Sequence, residues 1–176
     1  FLREQGWDID LKAHHRRGGY ILGICGGYQM LGTKICDPDG IEGEAGEIEG
    51  LGFLQIETVM RAGKTVRVVS ATHLATSLEI KGYEIHLGET NGADCARPFA
   101  MIDGRIEGAC SVDGRVQGSY VHGLFSQDSF RVAFLDKLGM SVSGFSYDTQ
   151  IEDTLDRLAV HIETYLDVDK ILEIAR

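Results

Sequence analysis

The sequence predicts an α/β domain with antiparallel strand additions, and three observations predict it. A short apolar run bounded by glycines, Tyr20 to Ile24, is followed at once by helix-compatible residues from Gly26 to Leu31, giving the order strand, sharp turn, helix. Two Asp-Gly pairs, at 103–104 and 113–114, separate the segments FAMI, RIEGACSV and RVQGSYVHG, as an antiparallel meander requires. Towards the end, Ile151, Leu155, Leu158, Ile162 and Tyr165 recur at helical spacing. With 176 residues, 43% of them hydrophobic, the chain is long enough for one domain over 1–176 with a buried core.

Taken in order, residues 1 to 17 are polar with scattered Leu2, Trp7, Ile9 and Leu11, and the cationic run HHRR before Gly18 and Gly19 reads as a helix end. The sequence starts without Met in a stretch that reads as mid-helix, so it is expected to be a fragment lacking upstream residues. Residues 37 to 52, DPDGIEGEAGEIEGLG, are too rich in Gly and Glu to pack a core, and are expected as a surface loop about one edge of an active site. Phe53 to Val69 roughly alternates apolar and polar positions around Gly63-Lys64, which predicts a hairpin. A further strand is expected over GYEIHLG, Gly82 to Gly88. Asp128 is expected to cap a helix over Ser129 to Leu138 that ends at Gly139, and a last helix is expected over Val168 to Ile174.

Composition excludes several functions. Acidic residues outnumber basic ones 27 to 17, for a net charge of -10, and no basic stripe is present, so a nucleic-acid backbone would be repelled. The cysteines Cys25, Cys36, Cys95 and Cys110 show no C-x-x-C spacing, which argues against a structural zinc site and against a disulfide framework. No metal site is expected, since no two histidines have ligand spacing either. There is no apolar run of membrane-spanning length and no secretory signal pattern at the start, so a cytoplasmic protein with no membrane partner is expected.

The chemistry concentrates at Gly23-Ile24-Cys25-Gly26-Gly27, the G-x-nucleophile-x-G pattern in which a strained strand-to-helix turn pushes a reactive side chain out above a sheet. At the start of a helix the positive end of the dipole favours the reactive thiolate. The N–H of Gly26 would supply one oxyanion donor, worth about 3 kcal/mol. The other three cysteines read as inert. A cysteine nucleophile also needs a group that can deliver a proton to a leaving amine near neutral pH, which is work for histidine. Of six histidines, His122 is the best placed, since it ends the apolar run GSYVHGLF with a glycine behind it. His86 is the rival, with a structural or substrate-contacting role equally open. His14 and His15 read as solvated, and His73 and His161 as surface or flank positions.

The stretch GICGGYQ, residues 23 to 29, fits the G-x-C-x-G-x-Q elbow, and the chain resembles glutamine amidotransferase domains of the class I type. More closely, ILGICGGYQMLG, DPDGIEG, GLGFLQIET, GYEIHLG and GSYVHGLF resemble the C-terminal domain of adenosylcobyric acid synthases of cobalamin biosynthesis, across residues 1 to 140. The resemblance implies a three-layer flavodoxin-like fold, incomplete at its N-terminal side. It implies that Cys25 and His122 are catalytic and that Gln29, with Gly27 and Tyr28 beside it, holds L-glutamine. Ordinary class I members carry a glutamate two residues after the histidine; here that position is Leu124, which leaves Glu84, a backbone carbonyl or His86 to orient the imidazole.

The same resemblance implies no cofactor in this domain. It implies an upstream synthetase domain that uses ATP and Mg2+ to amidate corrinoid carboxylates, and an upstream loop that gives the second oxyanion donor; without them the fragment is expected to be a weak enzyme. Sister amidotransferases remain open, such as the cobyrinate a,c-diamide synthase or an amidase of cell-wall lipid precursors. So does a non-catalytic docking module.

Overall fold

The computed structural model describes residues 1–141 and 146–175. The first helix, α1 (Trp7–Arg16), ends where Gly18 takes a left-handed φ of 85°, and the chain turns into β1 (Ile21–Ile24) and then directly into α2 (Gly26–Leu31). These bounds follow the expected strand, turn and helix to within a residue. There follow β2 (Lys34–Asp37), β3 (Gly46–Glu49), β4 (Glu57–Val59), β5 (Thr65–His73), β6 (Glu79–His86), β7 (Glu89–Asn91), β8 (Ala100–Ile102), β9 (Arg105–Glu107), β10 (Ala109–Cys110), β11 (Val116–Ser119) and β12 (Val121–His122). The chain closes with α3 (Asp128–Lys137), α4 (Tyr147–Tyr165) and α5 (Val168–Ile174).

The result is a mixed α/β arrangement with antiparallel additions. One sheet has the order β1-β11-β10, with β1 and β11 parallel and α2 packed on both. A second is antiparallel throughout, in the order β12-β6-β5-β8-β9, and a third runs β3-β2-β4-β7 with β2 and β4 parallel. One hydrophobic core lies between the second sheet and α3, around Ile80, Phe99, Val121 and Phe130. The other lies between the first sheet and α2, around Tyr28, Leu54, Ile56 and Val116.

Both Asp-Gly turns close antiparallel pairs, β8 with β9 and β10 with β11, but the pairs belong to different sheets, so no single meander forms. The run GSYVHG also divides. Ser119 pairs with β1 while Val121 and His122 pair with β6, and Tyr120 is the step between the two sheets. The hairpin expected around Gly63-Lys64 is not made: β4 lies in the third sheet, and β5 pairs with β6 over eight residues, a longer apolar match than the 53–69 segment offers itself. Within 37–52, residues 46–49 pair with β2 while remaining exposed, so the surface position holds and the irregular backbone does not. Asp128 stands inside the first turn of α3, behind Gln127 at the N-cap, where its carboxylate accepts from Arg131 and from the Tyr147 N–H. The C-terminal helices form as expected but bury no residue. His73 is buried, against a surface expectation, with its ring set against Phe99 and Phe130.

Candidate active site

Cys25 sits at the sharp join of β1 and α2 with φ 54° and ψ −117°, a backbone conformation that non-glycine residues rarely adopt. Gly23 makes the join possible. A Cβ there would lie 2.6 Å from Leu31 Cδ1 and 2.7 Å from the Gly27 backbone, so strand and helix approach more closely than any side chain would permit. Beside Gly26 and Gly27 the space is open. Gly26 opens α2, and N–H groups of a first helical turn have no intrahelical acceptor, which leaves it available to an oxyanion. The turn is tied down at both ends of Cys25: its N–H donates to the Ser119 carbonyl at 2.9 Å, and its thiol to the Ile85 carbonyl at 3.3 Å.

A cleft of about 210 Å³ opens at this sulfur, lined by Cys25, Gly26, Gln29, Glu42, Ile85 and His86 among others. Gln29 is fixed at its edge by hydrogen bonds from Nε2 to the Leu87 carbonyl, 3.1 Å, and to the Tyr120 hydroxyl, 3.2 Å. Glu42 brings the Gly/Glu-rich segment to the cleft, as expected of an active-site edge. Tyr28, by contrast, is buried and faces a separate cavity of about 320 Å³ together with Tyr120 and Cys95, so the structure does not bring it to Cys25.

Glu84 and His122 are divided by the parity of a strand. Directly opposite residues of an antiparallel pair project to one face, and successive residues alternate. Glu84 opposes Arg67 and Val121, whereas His122 opposes Tyr83, so Glu84 and His122 lie on opposite faces of the sheet. The Glu84 carboxylate is taken by Arg67 and Arg105, 2.5 and 2.9 Å away. Burial alone would push that carboxyl up, but the two guanidinium groups outweigh it and hold it below the usual range. The expectation that Glu84 orients His122 is therefore corrected: the face is wrong and the carboxylate is already engaged.

His122 stacks flat on Tyr83, with ring centroids 5.1 Å apart, and its buried Nε2 has no hydrogen-bond partner. It makes no hydrogen bond to Cys25 and does not line the cleft. Its strand is tied to the elbow only through the backbone: the Cys25 N–H bonds the Ser119 carbonyl, three residues before His122. His86 does line the cleft, with its ring stacked on Tyr120 at 3.9 Å and its Nδ1 3.3 Å from the Gly88 carbonyl. Burial holds this imidazole below its ordinary range, against the opposing pull of Glu84. Tyr120, which also hydrogen-bonds Thr90 at 2.6 Å, has no signature in the sequence, because its importance comes from the step between sheets.

All four cysteines are free. Among the described residues no group of three or more His, Cys, Asp or Glu is placed to hold a metal ion, and no helix is long and apolar enough to cross a membrane.

Comparison with known proteins shows the family. The family model of the CobB/CobQ-like glutamine amidotransferase domain matches residues 1–130. A cobyric acid synthase of Rhodobacter capsulatus is 61% identical over 176 residues, and one of Cereibacter sphaeroides is 58% identical over 176 residues; each match covers 100% of this chain and 37% of the relative. The cobyric acid synthase of Bradyrhizobium diazoefficiens is 58% identical over the same length, of which the chain spans 36%. Among solved structures, PurLQS from Thermotoga maritima superposes with a TM-score of 0.49 at 17% identity, covering 70% of this chain and 60% of that one.

Proposed function

The chain belongs to the CobB/CobQ-like glutamine amidotransferase family, and from that premise we propose that it hydrolyses glutamine through Cys25. The Cys25 sulfur attacks the side-chain amide carbon of glutamine, and the Gly26 N–H steadies the oxyanion. The carbon–nitrogen bond then breaks as His122 protonates the departing ammonia, and water cleaves the glutamyl thioester to release glutamate. Gln29 and Gly27 border the substrate. The observation that carries this reading is the Cys25 backbone at φ 54°, held between glycines at the mouth of a cleft.

The chain spans about 37% of the length of the curated relatives it matches, so the fate of the ammonia is part of the proposal. The identity to cobyric acid synthases supports delivery to an upstream synthetase region, where ATP and Mg2+ activate corrinoid carboxylates for amidation. It favours that acceptor over the sister amidotransferases. The strained Cys25 backbone and the cleft at its sulfur speak against a docking module.

Labelling by a glutamine-analogue electrophile, in the full-length protein that carries this domain, tests the reading. Cys25 is expected to take up one equivalent, and Cys25→Ala to lose labelling and glutaminase activity together. His122→Ala is expected to lower kcat by about 10²- to 10⁴-fold. An unlabelled Cys25 with an unaffected His122→Ala variant returns the domain to a docking role. One observation favours a second assignment within the same site: His86, not His122, lines the cleft. A greater loss of kcat in His86→Ala than in His122→Ala would move the proton-transfer role to His86.

A further inference from the structure

The step at Tyr120 leaves backbone groups without a strand partner, and buried N–H groups must be satisfied. A carboxyl does this here. Glu107, at the end of β9 and 3% exposed, accepts from the Tyr120 N–H at 2.6 Å with one oxygen and from the Ser119 hydroxyl at 2.9 Å with the other. The Ser119 hydroxyl in turn accepts from the Val121 N–H at 3.0 Å. Three successive residues are thus fixed through one buried side chain. They are the residues on which the site depends: the Ser119 carbonyl holds the Cys25 N–H, the Tyr120 ring and hydroxyl support His86 and Gln29, and Val121 leads into His122. Gly108 lets β9 come this close, since a Cβ there would strike the Gly118 carbonyl and, at 2.7 Å, Phe99 Cβ.

We propose that Glu107 is a positioning residue for glutamine hydrolysis: its buried carboxyl, clamped on Ser119 and Tyr120, sets the bend that holds the Cys25 elbow and both imidazoles in mutual register. This rests on the Cys25 reading above. It does not require Glu107 to touch glutamine or to move a proton. An oxygen that accepts from Tyr120 is what the clamp needs, and an amide supplies one.

The test compares Glu107→Ala, Glu107→Gln, Ser119→Ala and Cys25→Ala in the full-length protein, reading kcat and KM for glutamine hydrolysis on variants whose near-ultraviolet circular dichroism matches the parent. Displacing reacting groups by an ångström costs on the order of 10²-fold, so Glu107→Ala is expected to lose roughly 30-fold or more in kcat with KM within about threefold, while Glu107→Gln stays within about threefold of the parent in both. A folded Glu107→Ala variant with unchanged kcat overturns the inference, and so does a Gln variant as damaged as the Ala variant. Should Glu107→Ala not fold, Ser119→Ala decides, because it leaves the Glu107 bond to the Tyr120 N–H in place. A loss of about fivefold in kcat at constant KM supports positioning, and an unchanged kcat overturns it. Undiminished hydrolysis in Cys25→Ala instead sinks the parent reading, a result that the Glu107 variants alone would not produce.

Discussion

Cys25 shows how a single residue can be held against its own preference. A non-glycine backbone at φ 54° and ψ −117° costs about 1–3 kcal/mol, and persists only where surrounding contacts over-determine it. Here those contacts are the bonds to Ser119 and Ile85 and the close packing at Gly23. Glycine relieves such strain but loses about 0.5–1 kcal/mol through backbone entropy. Cys25→Gly is therefore expected to be more stable than Cys25→Ala by about 1 kcal/mol in urea unfolding while being equally inactive; equal midpoints for the two variants would show that the elbow is unstrained. The elbow was legible in the sequence because glycines at 23, 26 and 27 state a purely local demand. The choice between His86 and His122 was not. Which face a strand residue takes depends on register, and register here is set by a step between two sheets that leaves no mark in GSYVHG.

Among the elements, β5 and β6 carry the largest pairing, and Glu84 is the polar residue on which their inner face is fixed. It is 1% exposed, and its carboxylate satisfies one arginine from β5 and one from β9. The folded carboxyl is held low by Arg105 and Arg67, so its contribution is present above the unfolded value of about 4.3 and is lost as pH falls through the folded value. Glu84→Gln is expected to cost about 1–3 kcal/mol at pH 7, with the gap to the parent closing in more acid solution; a gap that is constant with pH would mean that the ionised form is not what matters. The 103–104 hairpin was readable because Asp103 and Gly104 both take positive φ, 49° and 78°, as Asp-Gly turns do. The β5–β6 connection was not, since Leu74 to Ser77 closes on a serine at φ 57° and contains no glycine.

Over the whole molecule, two buried groups titrate in opposite senses across the same pH range. Desolvation pushes the Glu107 carboxyl up to about 7, against the hydrogen bonds from Tyr120 and Ser119. Its contribution to stability is full below the unfolded value of about 4.3 and disappears as pH rises through 7. Desolvation lowers His73 to about 4, helped by the charge of Lys137. The neutral imidazole therefore contributes fully above its unfolded value of about 6.5, and that contribution is lost as pH falls towards 4. Between pH 7 and pH 5 each term changes by about 2 kcal/mol, one rising as the other falls, so the two nearly cancel. Removing either exposes the other. Glu107→Gln is expected to lose about 2 kcal/mol of unfolding free energy on going from pH 7 to pH 5, and His73→Leu to gain a similar amount, each relative to the parent's own change. Urea titrations of the three proteins at the two pH values measure this directly. Parallel pH dependence in both variants would show that these two groups, which flank Ala100 in one sheet, do not oppose each other.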